Sequence, residues 1–367
     1  RFPEFTGEWE KCKLGTLATK VGSGSTPKGG DAVYTSIGHY FVRSQNVGMG
    51  FLMLDNIAHI NDDIHQKHKA TEIYENDVLL NITGASIGRT AVATKELEGG
   101  NVNQHVCIIR TNSKVNPKFL CDYIQTQRIQ NHIKSLQTGG SREGLNFEQI
   151  RSFPISLPSI NEQNKLTCLL DKINERIATQ VRLIDRLQSL MIGIAQKIAH
   201  SNKPNVRISD CLECSSSALQ ESEVNKTGKY PVYGANGIVG YIDKYHTQNE
   251  AIYIIKDGSG VGGVSYVTGK CSSTGTLNIL QAKNGHSLKY LYYLLKVFNF
   301  VPYKTGMAIP HIYFKDYGKA KFFCPSYTEQ LQYARLLYAI ESKLSIEKNI
   351  LTNLSLQKQY LLRQMFI

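Results

Sequence analysis

The sequence has no long apolar run. None of its hydrophobic stretches approaches the roughly 18–20 residues that a membrane-spanning helix requires. The opening residues, RFPEFTGEWEKCK, contain neither an apolar signal core nor an initiating methionine, so we expect a trimmed or incomplete N-terminus. With 41% hydrophobic and 20% charged residues over 367 positions, the chain has the composition of a soluble protein with two or more domains.

Clustered metal ligands are also missing from the sequence. Eight cysteines are scattered along the chain, and only Cys211 and Cys214 form a C-x-x-C pair. A zinc site of that type needs a second pair of ligands at close spacing, and none is visible. We therefore predict no metal ligands and expect the reduced thiols of a cytoplasmic protein.

The motifs of common catalytic sites are not found either. There is no nucleophile elbow, no H-E-x-x-H pair, and no methyltransferase motif of the N-P-P-Y type. Gly258, Gly260 and Gly263 satisfy G-x-G-x-x-G, but Lys283 stands where a dinucleotide-binding fold needs an acid. We predict a tight strand–turn–strand loop there and assign no catalytic residue. Three neighbouring histidines in a polar stretch are expected on the surface: His59, His65 and His68.

Acidic residues are fewer than basic ones. Lys and Arg total 42 against 30 Asp and Glu, which gives a net charge of +12 and a pI near 9.2. Between Ala251 and Lys315 there are seven lysines and one acid, Asp257. An excess of this size indicates a polyanionic partner, most often nucleic acid, although it can also serve solubility alone.

The chain repeats itself at an offset of 167 residues. PSINEQ at 158–163 corresponds to PSYTEQ at 325–330, and the match extends into the segments that follow. Further upstream, NITGASIGRTAVA at 81–93 resembles IKDGSGVGGVSYV at 255–267. The chain is therefore a duplicated unit of about 165 residues, and two copies favour a pseudo-two-fold molecule over a solenoid.

Each copy ends in a long amphipathic segment. Apolar residues recur at steps of three and four, which is typical of a coiled-coil seam, and about 40 residues form a helix of roughly 60 Å. Two helices buried separately against globular cores remain an alternative. Gln180 and Glu347 are equivalent polar positions near the middle of the two segments. If the helices run antiparallel, these side chains meet and can set the register.

The parts before the helices are mixed in character. Short β-rich runs alternate with turn residues and with helical stretches at 117–136 and 287–298, so we predict an α/β (α+β) fold. The predicted organisation is two mixed domains, each followed by a long helix that pairs with the other as an antiparallel coiled coil. The predicted boundaries are 1–157, 158–200, 201–324 and 325–367.

This layout resembles the specificity subunit of type I restriction–modification systems. The resemblance covers essentially the whole chain, and each segment that carries it is modest alone. The segments are LGTLATKVGSGSTP (14–27), NITGASIGRTAV (81–92), LPSINEQNKLTCLLDKI (157–173), YPVYGANGIVGYID (230–243), DGSGVGGVSYVTGKCSSTGTLNIL (257–280) and CPSYTEQLQYARLLYAI (324–340).

The resemblance implies a DNA reader with no catalysis of its own. Each variable part would be a target recognition domain for one half of a split sequence in double-stranded DNA, and the helices would measure the spacer. Two modification subunits would methylate adenine with S-adenosylmethionine, and restriction subunits would use ATP and Mg²⁺. No cofactor is expected on this chain.

Base and phosphate contacts require amides, hydroxyls, Arg and Lys on loops. In the first domain the candidates are Ser23, Ser25, Thr26, Lys28, Arg43, Gln45, Asn46, Ser86, Arg89, Asn101, Asn103, Gln104 and Arg142. In the second they are Asn236, Lys256, Ser259, Lys270, Thr274, Lys304 and His311.

The two variable parts differ, so we expect different half-sites. The weakly basic first domain should rely more on base contacts and the lysine-rich second more on phosphates. Three alternatives stay open: a specificity subunit whose partner fuses restriction and modification, a protein-binding adaptor without a DNA role, and a stand-alone enzyme.

Overall fold

The computed structural model describes residues 2–137, 144–306 and 308–366. The chain divides into two units, residues 1–179 with 351–367 and residues 180–350. Each unit thus holds part of both long helices, whereas the sequence suggested four consecutive segments. Within the described residues, no helix combines the length and the apolarity needed to cross a membrane.

The first unit contains three small sheets and a group of helices. Its strands are β1 Glu10–Lys13, β2 Ala18–Ser23, β3 His39–Val42, β4 Ala58–Ile60, β5 Val78–Asn81, β6 Thr90–Val92, β7 Asn101–Val102, β8 Val106–Thr111 and β9 Pro154–Leu157. Its helices are α1 Asp62–Lys67, α2 Pro117–Gln125, α3 Gln127–Gln137, α4 Phe147–Arg151, the first part of α5 Ile160–Ala199 and the last part of α9 Tyr327–Met365. The predicted helix at 117–136 is interrupted at Thr126, where the backbone is extended.

The second unit repeats this scheme. Its strands are β10 Val206–Arg207, β11 Leu212–Ser216, β12 Tyr230–Gly234, β13 Gly237–Ile242, β14 Glu250–Ile255, β15 Val264–Thr268, β16 Ser272–Ser273, β17 Leu277–Ala282 and β18 Lys321–Phe322. Its helices are the second part of α5, α6 Ile208–Cys211, α7 Leu288–Val297, α8 Phe314–Tyr317 and the first part of α9 Tyr327–Met365.

The sheets have the same strand order in both units. The largest sheet is β2-β8-β5-β6 in the first unit and β11-β17-β14-β15 in the second, antiparallel throughout. A smaller sheet, β4-β3-β7 or β13-β12-β16, contains one parallel pair. The strand order therefore agrees with the duplication seen in the sequence. A mixed helix and strand fold of the α+β type results.

Apolar residues of the long helices belong to the cores of both units. Leu166 and Leu170 of α5 lie in one buried cluster with Leu362 and Met365 of α9 and with the strands of the first unit. In the second unit, one buried cluster contains Met191 and Ala195 from α5 together with Ala334 and Leu337 from α9. The 3–4 apolar spacing thus places these helix segments against globular cores.

Candidate nucleic-acid interface

The first glycine loop, residues 83–89, links β5 to β6. Its shape depends on Gly84 and Gly88, whose φ angles of 67° and 84° are rarely adopted by other residues. The backbone of Asn81 closes the loop at its base, accepting from Gly88 N at 3.0 Å and donating to Arg89 O at 2.8 Å. Ser86 is half-buried on this loop, and Arg89 is exposed at its end.

A chain of side-chain hydrogen bonds joins this loop to two neighbouring segments. Thr26 donates to the side chain of Gln104. Gln104 Nε2 lies 3.1 Å from His105 Nε2, and the other ring nitrogen of His105 contacts Thr83 Oγ1. Gly24 permits the close approach of these segments, because a Cβ there would lie 1.7 Å from Val102 O. Candidates far apart in sequence, such as Thr26 and Gln104, are thereby brought together.

The turn after β3 lies beside the same loop. The side chain of Asn81 donates to Ser44 O at 2.8 Å and so connects the turn to the base of the loop. Gln45 is exposed. The guanidinium carbon of Arg43 lies 5.4 Å from the ring centroid of Tyr34. The Nε atom of Arg43 is buried with no hydrogen-bond partner in the described part of the chain.

Three residues of the first unit that were predicted to contact DNA have buried side chains that stabilise the loops. Asn46 accepts from Arg43 N at 3.0 Å and donates to Met53 O at 2.9 Å. Asn103 Oδ1 accepts from His105 N at 3.0 Å. Asn101 is fully buried against two histidines. The burial of these asparagines argues against base contacts and favours a structural role for them.

The remaining candidates of the first unit lie on or near the loop after β2. Ser23 is half-buried at the end of β2, and Lys28 is exposed. Ser25 Oγ lies 2.9 Å from His68 Nδ1. Arg142 is outside the described residues.

The expectation of three surface histidines is wrong for His65. Its side chain is 2% exposed, and its ring stacks on His39 with centroids 3.8 Å apart. His65 Nδ1 lies 2.8 Å from Asn101 Oδ1. The polar residues around His65 in the sequence indicate an exposed helix. Its packing partners, His39 in β3 and Asn101 in β7, are distant in sequence, so the local pattern does not predict the burial.

The second glycine loop, residues 257–263, links β14 to β15 and has the same bonding pattern. Ile255 pairs with Gly262 and Gly263 at 2.9 Å each, and Gly258 and Gly262 both have a φ of 91°. The segment before Ile312 packs alongside, where Ile312 N donates to Lys256 O at 2.9 Å. The loop joins two antiparallel strands, as predicted for this G-x-G-x-x-G segment.

Four candidates of the second unit lie in or beside this loop. His311 Nδ1 lies 2.8 Å from Asp257 Oδ1, and the two residues form an isolated β-bridge. Lys256 precedes the loop, and Ser259 is exposed within it. Lys304 is also exposed and is next to Thr305, whose backbone pairs with His311.

Thr274, Asn236 and Lys270 are placed differently. Thr274 is 3% exposed, and its hydroxyl lies 2.8 Å from that of Thr276, so its burial argues against a base contact. Asn236 is exposed in the turn between β12 and β13. Lys270 follows β15 at the opposite end of β14 from Lys256, so the structure does not bring it to the glycine loop.

Two sets of side chains escaped the sequence analysis. Gln163 and Gln330 are buried amides that bind backbone groups of a preceding segment. Cys211, His286 and Cys324 have ligand atoms within 4.8 Å of one another. A hydrogen bond from Cys211, and then one from His286, lowers the pKa of the Cys324 thiol below its ordinary value. Gln163 and Gln330 are equivalent at the repeat offset of 167 residues, so the repeat could have pointed to both. The sequence spacing of Cys211, His286 and Cys324 gives no sign that they meet.

The fold is duplicated, and each unit carries a glycine loop with polar side chains beside it. The family model for the type I restriction modification DNA specificity domain matches residues 6–189 and 201–356. The chain therefore belongs to this family of type I restriction–modification specificity subunits.

Relatives found by sequence agree with this assignment. A Mycoplasma genitalium protein named as a type I specificity subunit is 22% identical over 309 residues, 78% of this chain and 79% of that protein. The EcoBI specificity subunit of Escherichia coli is 24% identical over 135 residues, 36% of this chain and 28% of that protein.

The fold is shared with two solved chains. The crystal structure of a type I S subunit from M. genitalium has a TM-score of 0.66 at 17% identity and covers 100% of this chain and 97% of that one. A chain from work on assembly and conformational transition of the type I system has a TM-score of 0.60 at 15% identity, with coverage of 99% and 98%.

Proposed function

We propose that this chain is the sequence-specific DNA-binding subunit of a type I restriction–modification complex. Each unit reads one half of a bipartite target, and the chain itself performs no catalysis. The observation that carries the proposal is that one loop scaffold is built twice with different polar side chains. In the first unit the loop presents Ser86 and Arg89, and in the second it presents Ser259 beside Lys256. Two equivalent scaffolds with different side chains suit two different half-sites.

The chemistry of the exposed groups suits a duplex. Arg and Gln side chains can pair with base edges in the major groove, whereas Lys side chains and free backbone N–H groups suit phosphates. Gln45 and Arg89 are the exposed groups of the first kind in the first unit, and Lys304 belongs to the second kind. The first unit therefore depends more on base contacts and the second more on phosphate contacts.

The long helices act as an antiparallel coiled coil that sets the spacer between the half-sites. Support comes from the order of their core residues. In the first unit the start of α5 shares a core with the end of α9. In the second unit the end of α5 shares a core with the start of α9. Gln180 and Glu347, which touch, set the register of this pair.

The partners follow from the family. Two modification subunits dock on the chain and methylate adenine with S-adenosylmethionine, and restriction subunits that use ATP and Mg²⁺ complete the complex in the cytoplasm. Expression of this chain with its neighbouring modification subunit, followed by single-molecule sequencing of host DNA, tests the proposal. A split motif with one methylated adenine in each half is expected. No methylation, beside a modification subunit active with another specificity chain, would favour a protein-binding adaptor instead.

A further inference from the structure

Three potential metal ligands meet in the second unit, outside the glycine loop. Cys211 ends α6, His286 precedes α7, and Cys324 precedes α9. Both cysteines are buried, with exposed fractions of 0% and 6%, and His286 is half-buried. Three segments far apart in sequence thus place two thiols and one imidazole together at the main core cluster of the second unit.

The spacing of these atoms is close to that of a tetrahedral zinc site. One sulfur and one nitrogen bound to the same zinc lie about 3.6 Å apart, and two sulfurs about 3.8 Å apart. Cys324 Sγ and His286 Nδ1 are 3.7 Å apart. All three ligand atoms lie within 4.8 Å of one another. Small side-chain rotations would therefore suffice to bring all three onto one ion.

The neighbouring amide of Gln330 suits a metal-bound sulfur. Its Nε2 lies 3.3 Å from Cys324 Sγ and 2.9 Å from Pro325 O. Hydrogen bonds of this kind orient metal ligands and stabilise thiolates. The equivalent amide of the first unit, Gln163, binds Lys114 O in place of a sulfur.

The first unit has apolar side chains at the equivalent positions. Cys324 corresponds to Leu157 at the offset of 167 residues. His286 corresponds to Val115, because the next residue in each unit donates its backbone N–H to the equivalent glutamine at 2.9 and 2.8 Å.

The third equivalence rests on backbone bonds. Ile208 N donates to Ala320 O at 3.0 Å, as Leu14 N donates to Phe153 O at 2.9 Å. Three residues further on, Cys211 corresponds to Leu17. The first unit therefore fills this position with buried Leu17, Val115 and Leu157, whereas all three positions of the second unit carry metal-binding side chains.

We propose that Cys211, His286 and Cys324 bind one zinc ion. Thiolates and imidazole are the ligands that zinc prefers, and the fourth position is left for water. Cys214, which completes the C-x-x-C spacing, is not part of the cluster. The ion ties the start of the recognition domain, the start of α7 and the start of α9 together, so it stabilises the second unit.

The test uses the full chain, stripped of metal by a chelator under reducing conditions. Zn²⁺ is added in competition with a chromophoric chelator, and Co²⁺ is added separately to record its absorption spectrum. We expect one equivalent of metal, a thiolate-to-cobalt charge-transfer band with the strong d–d bands of a four-coordinate ion, and a higher thermal midpoint with Zn²⁺. Cys211→Ser and Cys324→Ser should each lose the bound equivalent, whereas Cys168→Ser, at an exposed thiol, should retain it.

The double variant Cys211→Leu/Cys324→Leu distinguishes loss of the metal ligands from loss of the fold. It copies Leu17 and Leu157 of the first unit, so it should fold without metal and show no rise in its thermal midpoint with Zn²⁺. Equal metal binding by this variant and the wild type would overturn the proposal. A Cys211–Cys324 disulfide in the natively purified chain, found by mass spectrometry, would also overturn it in favour of a redox pair.

Discussion

Gln180 and Glu347, which are 167 residues apart and equivalent in the internal repeat, touch in the structure. Gln180 Nε2 donates to the backbone carbonyl of Glu347 at 3.0 Å and also to its carboxylate. Glu347 is only 4% exposed. Both residues belong to the second unit, and their contact is the one expected of equivalent positions if the two helices run antiparallel. That the pair fixes the register stays a prediction.

The Glu347 carboxylate should make stability depend on pH. Hydrogen bonds from Lys343, and then from Gln180, hold the pKa of Glu347 below its ordinary value. Its contribution is therefore complete above the unfolded pKa of about 4.3 and is lost as the pH falls through the lower folded value. We expect Glu347→Gln to flatten the acid limb of the unfolding free energy, measured by denaturant titration across this range. Glu175→Gln, at an exposed glutamate, is the control. The same dependence on acid pH in the wild type, Glu347→Gln and Glu175→Gln would contradict a stabilising role for the Glu347 carboxylate.

A buried ion pair should dominate the polar stability of the first unit. Asp77 is 1% exposed, and both of its carboxylate oxygens accept from Arg110 at 2.8 Å. The guanidinium also lies 3.5 Å from the ring centroid of Tyr74. Arg110→Ala leaves the buried carboxylate of Asp77 without its partner and should lower the unfolding free energy by about 3 kcal/mol. This is the lower end of the range for buried pairs, because Arg110 is partly exposed. Arg110→Lys should cost less, and denaturant unfolding that shows no loss for Arg110→Ala would contradict this role.

The hydrogen bonds of Gln163 should stabilise the packing of the start of α5 against the start of α2. Its Oε1 accepts from Asn116 N at 2.8 Å, and its Nε2 donates to Pro158 O at 2.9 Å. Gln163→Leu leaves these buried backbone groups unpaired, at a cost of about 1–3 kcal/mol. Unfolding of this variant is compared with that of Gln66→Leu on an exposed face of α1, for which no loss is expected. Equal stability of the two variants would refute the role.

The two glycine loops should respond differently to salt. In the assembled complex bound to its target, Lys256→Ala should reduce the slope of log K against log salt by about one, because one phosphate contact is lost. Arg89→Ala should weaken binding by about 1–3 kcal/mol and relax sequence preference in one half-site. Lys283→Ala, at the far end of β17, serves as the control. Equal salt slopes for Lys256→Ala and Arg89→Ala would contradict the division between phosphate and base contacts.

Periodicity predicted the long helices well, because apolar spacing is local. The helices at 160–199 and 327–365 lie within the predicted segments 158–200 and 325–367. The glycine loops were also predictable, since antiparallel strands on both sides of a tight turn leave a local signature. The break at Thr126 was not predicted, because an apolar helical pattern continues across it.

Tertiary placement escaped prediction. Asn46, Asn101, Asn103 and Thr274 are residue types common in exposed turns, yet all four are buried. The three asparagines bind backbone and histidine groups, and Thr274 pairs with the hydroxyl of Thr276. The glutamine of each PSxxEQ segment was interpreted as a helix-start signal, but Gln163 and Gln330 bind segments about 45 residues upstream. Contacts of this kind depend on chain topology, which a local pattern does not encode.

The most direct test of the account is an exchange of the first recognition domain. Residues 1–157 are replaced by the equivalent part of another specificity subunit, and the methylated motif is read by single-molecule sequencing with the same modification subunit. The account predicts that one half of the split motif changes while the other half and the methylated adenine within it stay the same. A change in both halves, or in neither, would contradict the claim that each unit reads its own half-site.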